Sequence, residues 1–395
     1  MKQRKVIIAG GGIGGLAAAL ALLRADVAVE LYEQADALRE IGAGIQMSAN
    51  AMRVFAALGI AERIEAAGSQ PTHREMRLWN SGQAWRSFDL GAVSRAEYGQ
   101  PYVTLYRPDL MAVLEAAVRE ADPFCIRLGA RAVGCSQDGQ AHLHLADGRI
   151  VSGDALIGAD GIRSVVREAL HGADAAEFTG MTAWRGVIPA EALPLHLRQA
   201  HSSNWVGPGG HVVYYPLRGG RLMNMVGVLE RADWTEEGWN IPGMHAAMHQ
   251  DFAGWHADIH AMIDAIPQPY LWALKLRRPL PFWGQGRVTL LGDACHPTLP
   301  FLAQGAVMAI EDAMVLARAL SAQPVEEALR RYEAARYGRT SLVIERSWAM
   351  GQRYHDPRLS TPEGAAAAAS EMTLERMRER FDWLYRYDAT SVPLE

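Results

Sequence analysis

The chain has 395 residues, of which 49% are hydrophobic and 21% are charged, and its formal net charge is −5. This length and apolar content suit one large globular domain, or two interlocked ones, with a substantial core. The slight negative charge argues against nucleic acid or an anionic membrane surface as a partner, and the apolar stretches are too short to span a bilayer. Cys125, Cys135 and Cys295 fit neither a disulfide framework nor a metal cluster, so we expect a reducing cytoplasm and no metal site.

The predicted elements begin with a βαβ unit. Lys5–Ala9 is predicted to be a short buried strand, residues 10–15 a glycine turn, residues 16–24 a helix, and residues 27–33 an alternating second strand. Further strands are predicted at residues 141–146, 155–158 and 288–291.

The middle and the end of the chain have different patterns. Residues 184–229 alternate between apolar and polar positions and include a tight-turn sequence at 217–221, which predicts a hairpin in a second sheet. From residue 307 onward the pattern is helical. The sequence therefore predicts an α/β fold in which a parallel sheet is combined with a separate β-sheet and C-terminal helices.

The first chemical signal is the glycine turn between the first strand and helix. Gly10, Gly12 and Gly15 fit the dinucleotide-binding fingerprint, in which glycines permit a tight turn, close approach of a pyrophosphate, and helix–strand packing. Glu33 ends the second strand, where a carboxylate can accept hydrogen bonds from a ribose diol. The pattern indicates a dinucleotide site but does not distinguish FAD from NAD.

Two further signals follow predicted strands. Asp293 ends one strand, where it can bind a polyol chain, and the next helix opens near Gly305 with its free N–H groups. Asp160 and the glycine after it end another strand, a pattern that is also typical of an ordinary turn.

Together these motifs resemble the FAD-dependent aromatic hydroxylases, the family of para-hydroxybenzoate and salicylate hydroxylases. The resemblance implies that the glycine turn and Glu33 hold the ADP half of FAD, that Asp160 lies by the pyrophosphate, and that Asp293 holds the ribityl chain. It also implies that a group of loop and helix residues contacts the flavin: Arg39, Gln46, Arg107, Gly305, Ala306 and Val307.

The resemblance also implies a reaction. NADH or NADPH reduces a non-covalently bound FAD, oxygen gives a flavin hydroperoxide, and its terminal oxygen is transferred to an electron-rich ring. No His or Cys in the fingerprint turn could tether the flavin. The expected partners are a small aromatic acid and O2, and the chain is expected to be a monomer or a homodimer.

Candidate catalytic residues lie in the central hairpin. Strand alternation puts His211, Val213 and Tyr215 on one face, with His211 and Tyr215 about 13 Å apart. A His and a Tyr at this spacing could contact a benzoate-sized phenol and accept or stabilise its proton, although both are also ordinary sheet residues. His296 and Pro297 are further candidates for lining the substrate pocket.

The substrate and the activity leave alternatives open. The segment from Thr298 to Gly305 is similar to salicylate hydroxylase-like sequences, which favours a salicylate-like acid. The alternatives are 3-hydroxybenzoate and 6-hydroxynicotinate, although Leu299 and Gln46 depart from those groups. A reductase or a flavin-binding protein without hydroxylase activity would carry the same FAD motifs.

The positions of the motifs predict a discontinuous domain arrangement. Residues 1–75, 102–178 and 276–340 are assigned to the FAD-binding domain, residues 76–101 and 179–275 to a substrate-binding β-sheet domain, and residues 341–395 to a C-terminal helical segment.

Overall fold

The computed structural model describes residues 4–38, 42–231, 234, 241–371 and 373–395. The strands within these residues are β1 Lys5–Ala9, β2 Ala28–Tyr32, β3 Gly44–Met47, β4 Arg74–Leu78, β5 Ala84–Phe88, β6 Val103–Tyr106, β7 Ile126–Arg127, β8 Ala132–Gln137, β9 Ala141–Leu145, β10 Ile150–Gly153, β11 Ala155–Gly158, β12 Glu177–Pro189, β13 Ser202–Gly207, β14 Gly210–Leu217, β15 Leu222–Glu230, β16 Ile241–Pro242, β17 Tyr270–Leu276, β18 Gly284–Gln285 and β19 Val288–Leu290. The helices are α1 Ile13–Arg24, α2 Ala49–Ala57, α3 Ala61–Ala67, α4 Ala92–Tyr98, α5 Arg107–Ala121, α6 Val165–His171, α7 His245–Asp251, α8 Ala257–Asp264, α9 Gly305–Ala322, α10 Val325–Tyr354, α11 Pro362–Ser370 and α12 Leu374–Tyr385.

The first sheet has six strands in the order β18-β19-β11-β1-β2-β7, and it is parallel except for the pairing of β18 with β19. The central strand β1 is a run of Val and Ile that is fully buried, as expected for a parallel strand covered on both faces. Helix α1 packs against α5 and α9 beside this sheet. The carboxyl ends of β1, β11 and β19 therefore lie side by side, which is where open α/β sheets bind ligands.

The second sheet has eight strands in the order β16-β17-β12-β15-β14-β13-β4-β5. Successive side chains point to opposite faces, so each strand contributes to two different cores. Val212 and Tyr214 of β14 pack with α7 and α8 in one apolar cluster. The other face carries Val206 and Val228 and packs against α9 and the C-terminal helices in a second cluster.

The predicted fold class is confirmed. The βαβ unit, the hairpin between β14 and β15, and the helical C-terminal part are present at the expected places. Helix α1 begins at Ile13, three residues before the predicted start, because Gly14 and Gly15 adopt helical geometry. Among the described helices, none combines the length and the hydropathy needed to cross a membrane. The proposed domain boundaries stay a prediction.

Candidate active site

The glycine turn after β1 is tight at two positions and open at the third. Gly10 has φ +105°, a backbone conformation that favours glycine, and a Cβ atom on Gly15 would overlap the carbonyl oxygen of Gly10. A Cβ atom on Gly12 would meet nothing within 4 Å. The turn therefore leaves open space in front of the N-terminus of α1, where a phosphate can approach the backbone N–H groups.

Glu33 is held beside this turn by backbone hydrogen bonds. Gly11 N–H donates to Glu33 Oε2 at 2.7 Å, and Ala35 N–H donates to Oε1 at 2.9 Å. An ionised carboxylate has about four acceptor positions, so two remain for a diol. This geometry fits the predicted contact with a ribose.

Asp160 adjoins the same turn from the end of β11. Its Oδ2 accepts hydrogen bonds from the N–H groups of Val165 at 2.8 Å and Val166 at 3.3 Å. Its Oδ1 is buried and has no hydrogen-bond partner among the described residues. Burial raises the pKa of Asp160. The backbone of Asp160 lies beside Gly10, so a cofactor bound at the glycine turn could supply a partner for this oxygen.

Asp293, Arg107 and Gly305 converge at a second position. Asp293 lies in a short 3-10 turn after β19, and a Cβ atom on Gly305 would stand 3.9 Å from Asp293 Oδ1. Desolvation raises the pKa of Asp293, and the charges of His296 and Arg107 oppose the rise. The residue is nevertheless exposed. Gly305, Ala306 and Val307 form the first turn of α9, whose N–H groups are available to an electron-rich ligand.

The pairing of β3 with β6 brings the flavin-loop candidates together. Gly44–Met47 runs antiparallel to Val103–Tyr106, and Arg107 N–H donates to the Ala43 carbonyl at 2.8 Å. Gln46 Oε1 accepts a hydrogen bond from the Tyr102 hydroxyl at 2.6 Å. Arg39 lies outside the described residues.

These observations fit FAD. The open cradle at Gly12, the orphaned oxygen of Asp160, the accessible carboxylate of Asp293 and the N-termini of α1 and α9 offer donors and acceptors to a pyrophosphate, a polyol and a polar ring. The assignment of each residue to a part of the cofactor stays a prediction.

The structure places His211, Val213 and Tyr215 on one face of β14, as predicted from alternation. The neighbouring strands add Asn204 and Asn224, since Asn204 of β13 pairs with Val213 and Asn224 of β15 pairs with Tyr215. All of these except Val213 are buried, and Val213 is half-buried. The face therefore has an apolar centre with polar groups around it.

Sequence reasoning missed both asparagines. Asn224 Oδ1 accepts a hydrogen bond from Gly44 N–H at 2.7 Å, which ties the second sheet to β3, while its Nδ2 has no partner among the described residues. Asn204 Nδ2 donates to the Tyr354 hydroxyl at 3.1 Å, and its Oδ1 has no partner there either. Two buried amides with an unused donor and an unused acceptor indicate a ligand that completes them. Sequence reasoning could have found them, because each is a polar residue beside apolar residues of a predicted strand.

His211 and Tyr215 are both held in their neutral forms. Burial, and then the charge that His355 carries when protonated, lower the pKa of His211 well below its usual value. Burial raises the pKa of Tyr215, and a hydrogen bond with Gln46 opposes the rise only in part. His211 is therefore suited to accept a proton, and Tyr215 is suited to donate a hydrogen bond.

Two buried guanidinium groups face the same side of the sheet and were also missed. Arg185 of β12 pairs with Val226, which in turn pairs with Val213, and its guanidinium lies 4.7 Å from the centre of the Trp272 ring. Arg74 of β4 donates to the Tyr102 hydroxyl at 3.0 Å. A face with two buried cations is electrostatically suited to an anionic ligand.

His296 belongs to a different set of contacts. Its Nε2 lies 2.5 Å from Asp312 Oδ2, and its ring packs 5.0 Å from that of Trp283. Asp312 also pairs with the buried Arg336 at 2.7 Å. These contacts place His296 in an ionic cluster of α9 and α10, so they do not support the predicted substrate-lining role. Pro297 is buried next to it and remains a prediction.

A family model described as an FAD binding domain matches residues 3–347. The chain is 36% identical over 392 residues to a 3-amino-4-hydroxybenzoate 2-monooxygenase of Streptomyces platensis, covering 98% of this chain and 97% of the relative. It is 35% identical to a 6-hydroxynicotinate 3-monooxygenase of Bordetella bronchiseptica, covering 99% and 97%. A solved salicylate hydroxylase–substrate complex matches with a TM-score of 0.81 and 28% identity, covering 98% and 96% of the two chains.

The chain therefore belongs to the family of FAD-binding aromatic-ring hydroxylases. It is an FAD-dependent monooxygenase, and the predicted class of enzyme and its cofactor are confirmed.

Proposed function

We propose that the enzyme hydroxylates a phenolic aromatic carboxylate, with a salicylate-like ortho-hydroxybenzoate as the first candidate, and that it uses NADH or NADPH and O2. The proposal depends on one face of β14 and its neighbouring strands, the face that carries His211, Val213 and Tyr215, which we call the inner face. It surrounds the apolar Val213 with a neutral base at His211, a neutral donor at Tyr215 and a buried cation at Arg185.

The dimensions of this face suit a ring of benzoate size. His211 and Tyr215 are four residues apart on one strand, about 13 Å between Cα atoms, and adjacent strands are about 4.8 Å apart. A ring lying over Val213 of β14 and Val226 of β15 would have Asn204 of β13 on one side. On the other side it would have Arg185 of β12, two strands away from Val213. A guanidinium presents five donors in a planar fork that matches a carboxylate, so Arg185 is our candidate for the carboxylate.

The named substrates of similar proteins support this class. One relative is named for an aminohydroxybenzoate, another for a hydroxynicotinate, and the solved structure for salicylate. All three combine a hydroxyl and a carboxylate on an aromatic ring, while the rings and substitution patterns differ. The shared chemistry is what we transfer to this chain.

Bound FAD supplies the redox chemistry, taking electrons from the nicotinamide and passing oxygen to the ring. The chain's own residues prepare the ring. His211 accepts the phenolic proton, because the neutral imidazole has a free lone pair, and Tyr215, about 13 Å along the strand, donates a hydrogen bond to a polar group at the other side of the ring. The apolar residues of the face, with Val213 at its centre, exclude water from the reacting carbons.

The first test is anaerobic reduction of the FAD-loaded enzyme by NADH and by NADPH, with and without salicylate, 3-hydroxybenzoate, 6-hydroxynicotinate and 3-amino-4-hydroxybenzoate. We expect one phenolic acid to accelerate reduction and to be recovered with one added oxygen when air is admitted. If an acid other than salicylate accelerates reduction, that acid replaces salicylate as the assigned substrate. If no acid is hydroxylated and all oxygen appears as hydrogen peroxide, the substrate assignment is wrong.

The second test uses variants of the face. We expect Tyr215→Phe and His211→Ala to slow hydroxylation by about a hundredfold or more, the range typical of acid–base groups, while FAD content stays unchanged. Tyr214→Phe is the matched control, since Tyr214 lies on the opposite face and donates to the Leu197 carbonyl at 2.8 Å. Wild-type rates in both variants would show that this face is structural.

Two other predictions remain proposals. The three cysteines are free thiols, which fits a reducing compartment such as the cytoplasm. We also keep the prediction of a monomer or a homodimer, which light scattering of the purified enzyme would distinguish.

A further inference from the structure

A chain of hydrogen bonds runs away from His211, on the side opposite to Tyr215 along the strand. His211 Nδ1 lies 2.8 Å from Nε2 of His355, the residue that follows α10. His355 Nδ1 lies 3.0 Å from Oε1 of Glu230, the last residue of β15. The two strands of one hairpin and the residue after α10 thus place three proton-carrying side chains in line.

The series of hydrogen bonds leads from the interior of the protein to its surface. His211 and His355 are 2% and 4% exposed, whereas the Glu230 side chain is 59% exposed. Glu230 and His355 both border a surface cavity of about 490 Å³, which Arg231 and Gln352 also line. Solvent therefore reaches the outer end of the chain, while the inner end is closed to it.

The charge of Glu230 sets the direction of both hydrogen bonds in the series from His211 to Glu230. An ionised carboxylate only accepts, so His355 must carry its proton on Nδ1 and donate to Glu230. His355 Nε2 then holds a lone pair and accepts from His211 Nδ1–H. The remaining nitrogen, His211 Nε2, is left with the lone pair, which is the state required of a proton acceptor.

We propose that His355 and Glu230 form a proton path between His211 and the solvent, and that they act as positioning residues for the proton transfer at His211. The inference rests on the proposed function. When the substrate phenol ionises, its O–H bond breaks and His211 Nε2–H forms. The Nδ1 proton of His211 moves to His355 Nε2, the Nδ1 proton of His355 moves to Glu230, and Glu230 releases it to water. The reverse sequence returns a proton to the product phenol and restores both tautomers.

The surroundings keep both imidazoles of the path in their neutral forms. Burial lowers the pKa of both imidazoles, and for His355 the Glu230 carboxylate opposes this only in part. The groups that face the pair are Tyr354, whose ring centre is 5.0 Å from that of His211, and the apolar ring of Phe301 at 5.3 Å. Arg231, at the cavity, is paired with Asp251 at 3.1 Å. Both imidazoles therefore start neutral, each with one ring nitrogen that holds a lone pair.

The test compares Glu230→Gln and His355→Gln with Gln352→Ala, a control that lines the same cavity. Each FAD-loaded enzyme is mixed with 2,4-dihydroxybenzoate, a salicylate whose ionisation changes its ultraviolet absorbance, and a pH indicator reports proton release. In both path variants we expect ionisation and kcat to fall at least about tenfold, with KM and FAD content nearly unchanged. Added imidazole should restore part of the rate in Glu230→Gln, because the cavity admits it.

Three outcomes would overturn the path. The first is ionisation and proton release at the unaltered rate in both variants. The second, independent of any substrate, is a set of histidine ring 15N shifts showing His355 protonated on Nε2 in the unaltered holoenzyme. The third is that the unaltered enzyme hydroxylates an acid of the panel, and that neither variant slows the ionisation of that acid. If the unaltered enzyme ionises and hydroxylates none of the acids, the proposed function itself is wrong, and the path falls with it.

Discussion

The cofactor region and the proposed substrate face, which carries His211, Val213 and Tyr215, are built in opposite ways. In the cofactor region, the carboxylates accept hydrogen bonds from residues nearby in sequence: Glu33 from residues 11 and 35, and Oδ2 of Asp160 from residues 165 and 166. On the substrate face, partners come from far apart, with 180 residues between Gly44 and Asn224 and 144 between His211 and His355. A motif can therefore reveal the first region, whereas the second exists only when the sheet and the C-terminal helix have assembled.

The largest effect should come from the glycine turn. Gly15→Ala forces a Cβ atom onto the Gly10 carbonyl, so we expect an enzyme that neither folds normally nor retains FAD. Gly12→Ala adds a methyl group to open space, so the apoprotein should keep its thermal stability. Its FAD affinity should fall by about tenfold or more, equivalent to at least about 1.4 kcal/mol. Flavin absorbance and thermal unfolding measure both, and equal behaviour of the two variants would contradict this division of roles.

The ionic cluster of α9 and α10 should have the next largest effect. Arg336 is fully buried and pairs with Glu311 and Asp312 at 2.7 Å each. Although burial alone would raise the pKa values of both carboxyl groups, the nearby cationic groups hold them below normal. Arg336→Leu leaves two buried carboxylates, so the free energy of unfolding should fall by about 3–5 kcal/mol.

Arg330→Leu on the same helix is the matched control for the cluster. Arg330 pairs with Glu327 at the surface, and its side chain is 76% exposed. We expect a change of less than about 1 kcal/mol, which urea unfolding can resolve. Equal losses in the two variants would show that the buried cluster has no special role.

The smallest predicted effect is a pH dependence that arises from the substrate face. The pKa values of His211 and His355 are lowered in the folded state, so the unfolded state binds more protons as pH falls below about 6.5. Stability from these groups is thus fully present above that pH and is lost as pH falls, by up to about 1.4 kcal/mol per pH unit for each group. The double variant His211→Gln/His355→Gln should show a shallower slope between pH 5.5 and 6.5. An unchanged slope would mean that the two imidazoles bind as many protons in the folded state as in the unfolded state, so that the pKa of neither is lowered.

The sequence predicted the parts of the fold that depend on local backbone geometry. The glycine fingerprint, Glu33 and the hairpin at residues 217–221 lie where alternation and turn chemistry place them, and the same alternation put His211 and Tyr215 on one face. The rest required tertiary register. Asn204, Asn224 and Arg185 join the site only through the pairing of β12, β13, β14 and β15.

The contacts of His296 and His355 also could not be predicted from the sequence. His296 sits in a motif beside Asp293, yet its side chain bonds Asp312 on α9. His355 carries no local signal, and it meets His211 only because α10 ends beside β14. In both cases the packing of a long helix determines which side chain the imidazole contacts.

The central claim is that the aromatic acid binds on the inner face of β14, and a crystal structure of the FAD-loaded enzyme with salicylate tests it most directly. The account predicts the ring over Val213, with the phenol oxygen in hydrogen-bond reach of His211 or Tyr215 and the carboxylate directed to Arg185. A salicylate bound away from this face, with Asn204 Oδ1 and Asn224 Nδ2 still unpaired, would contradict it.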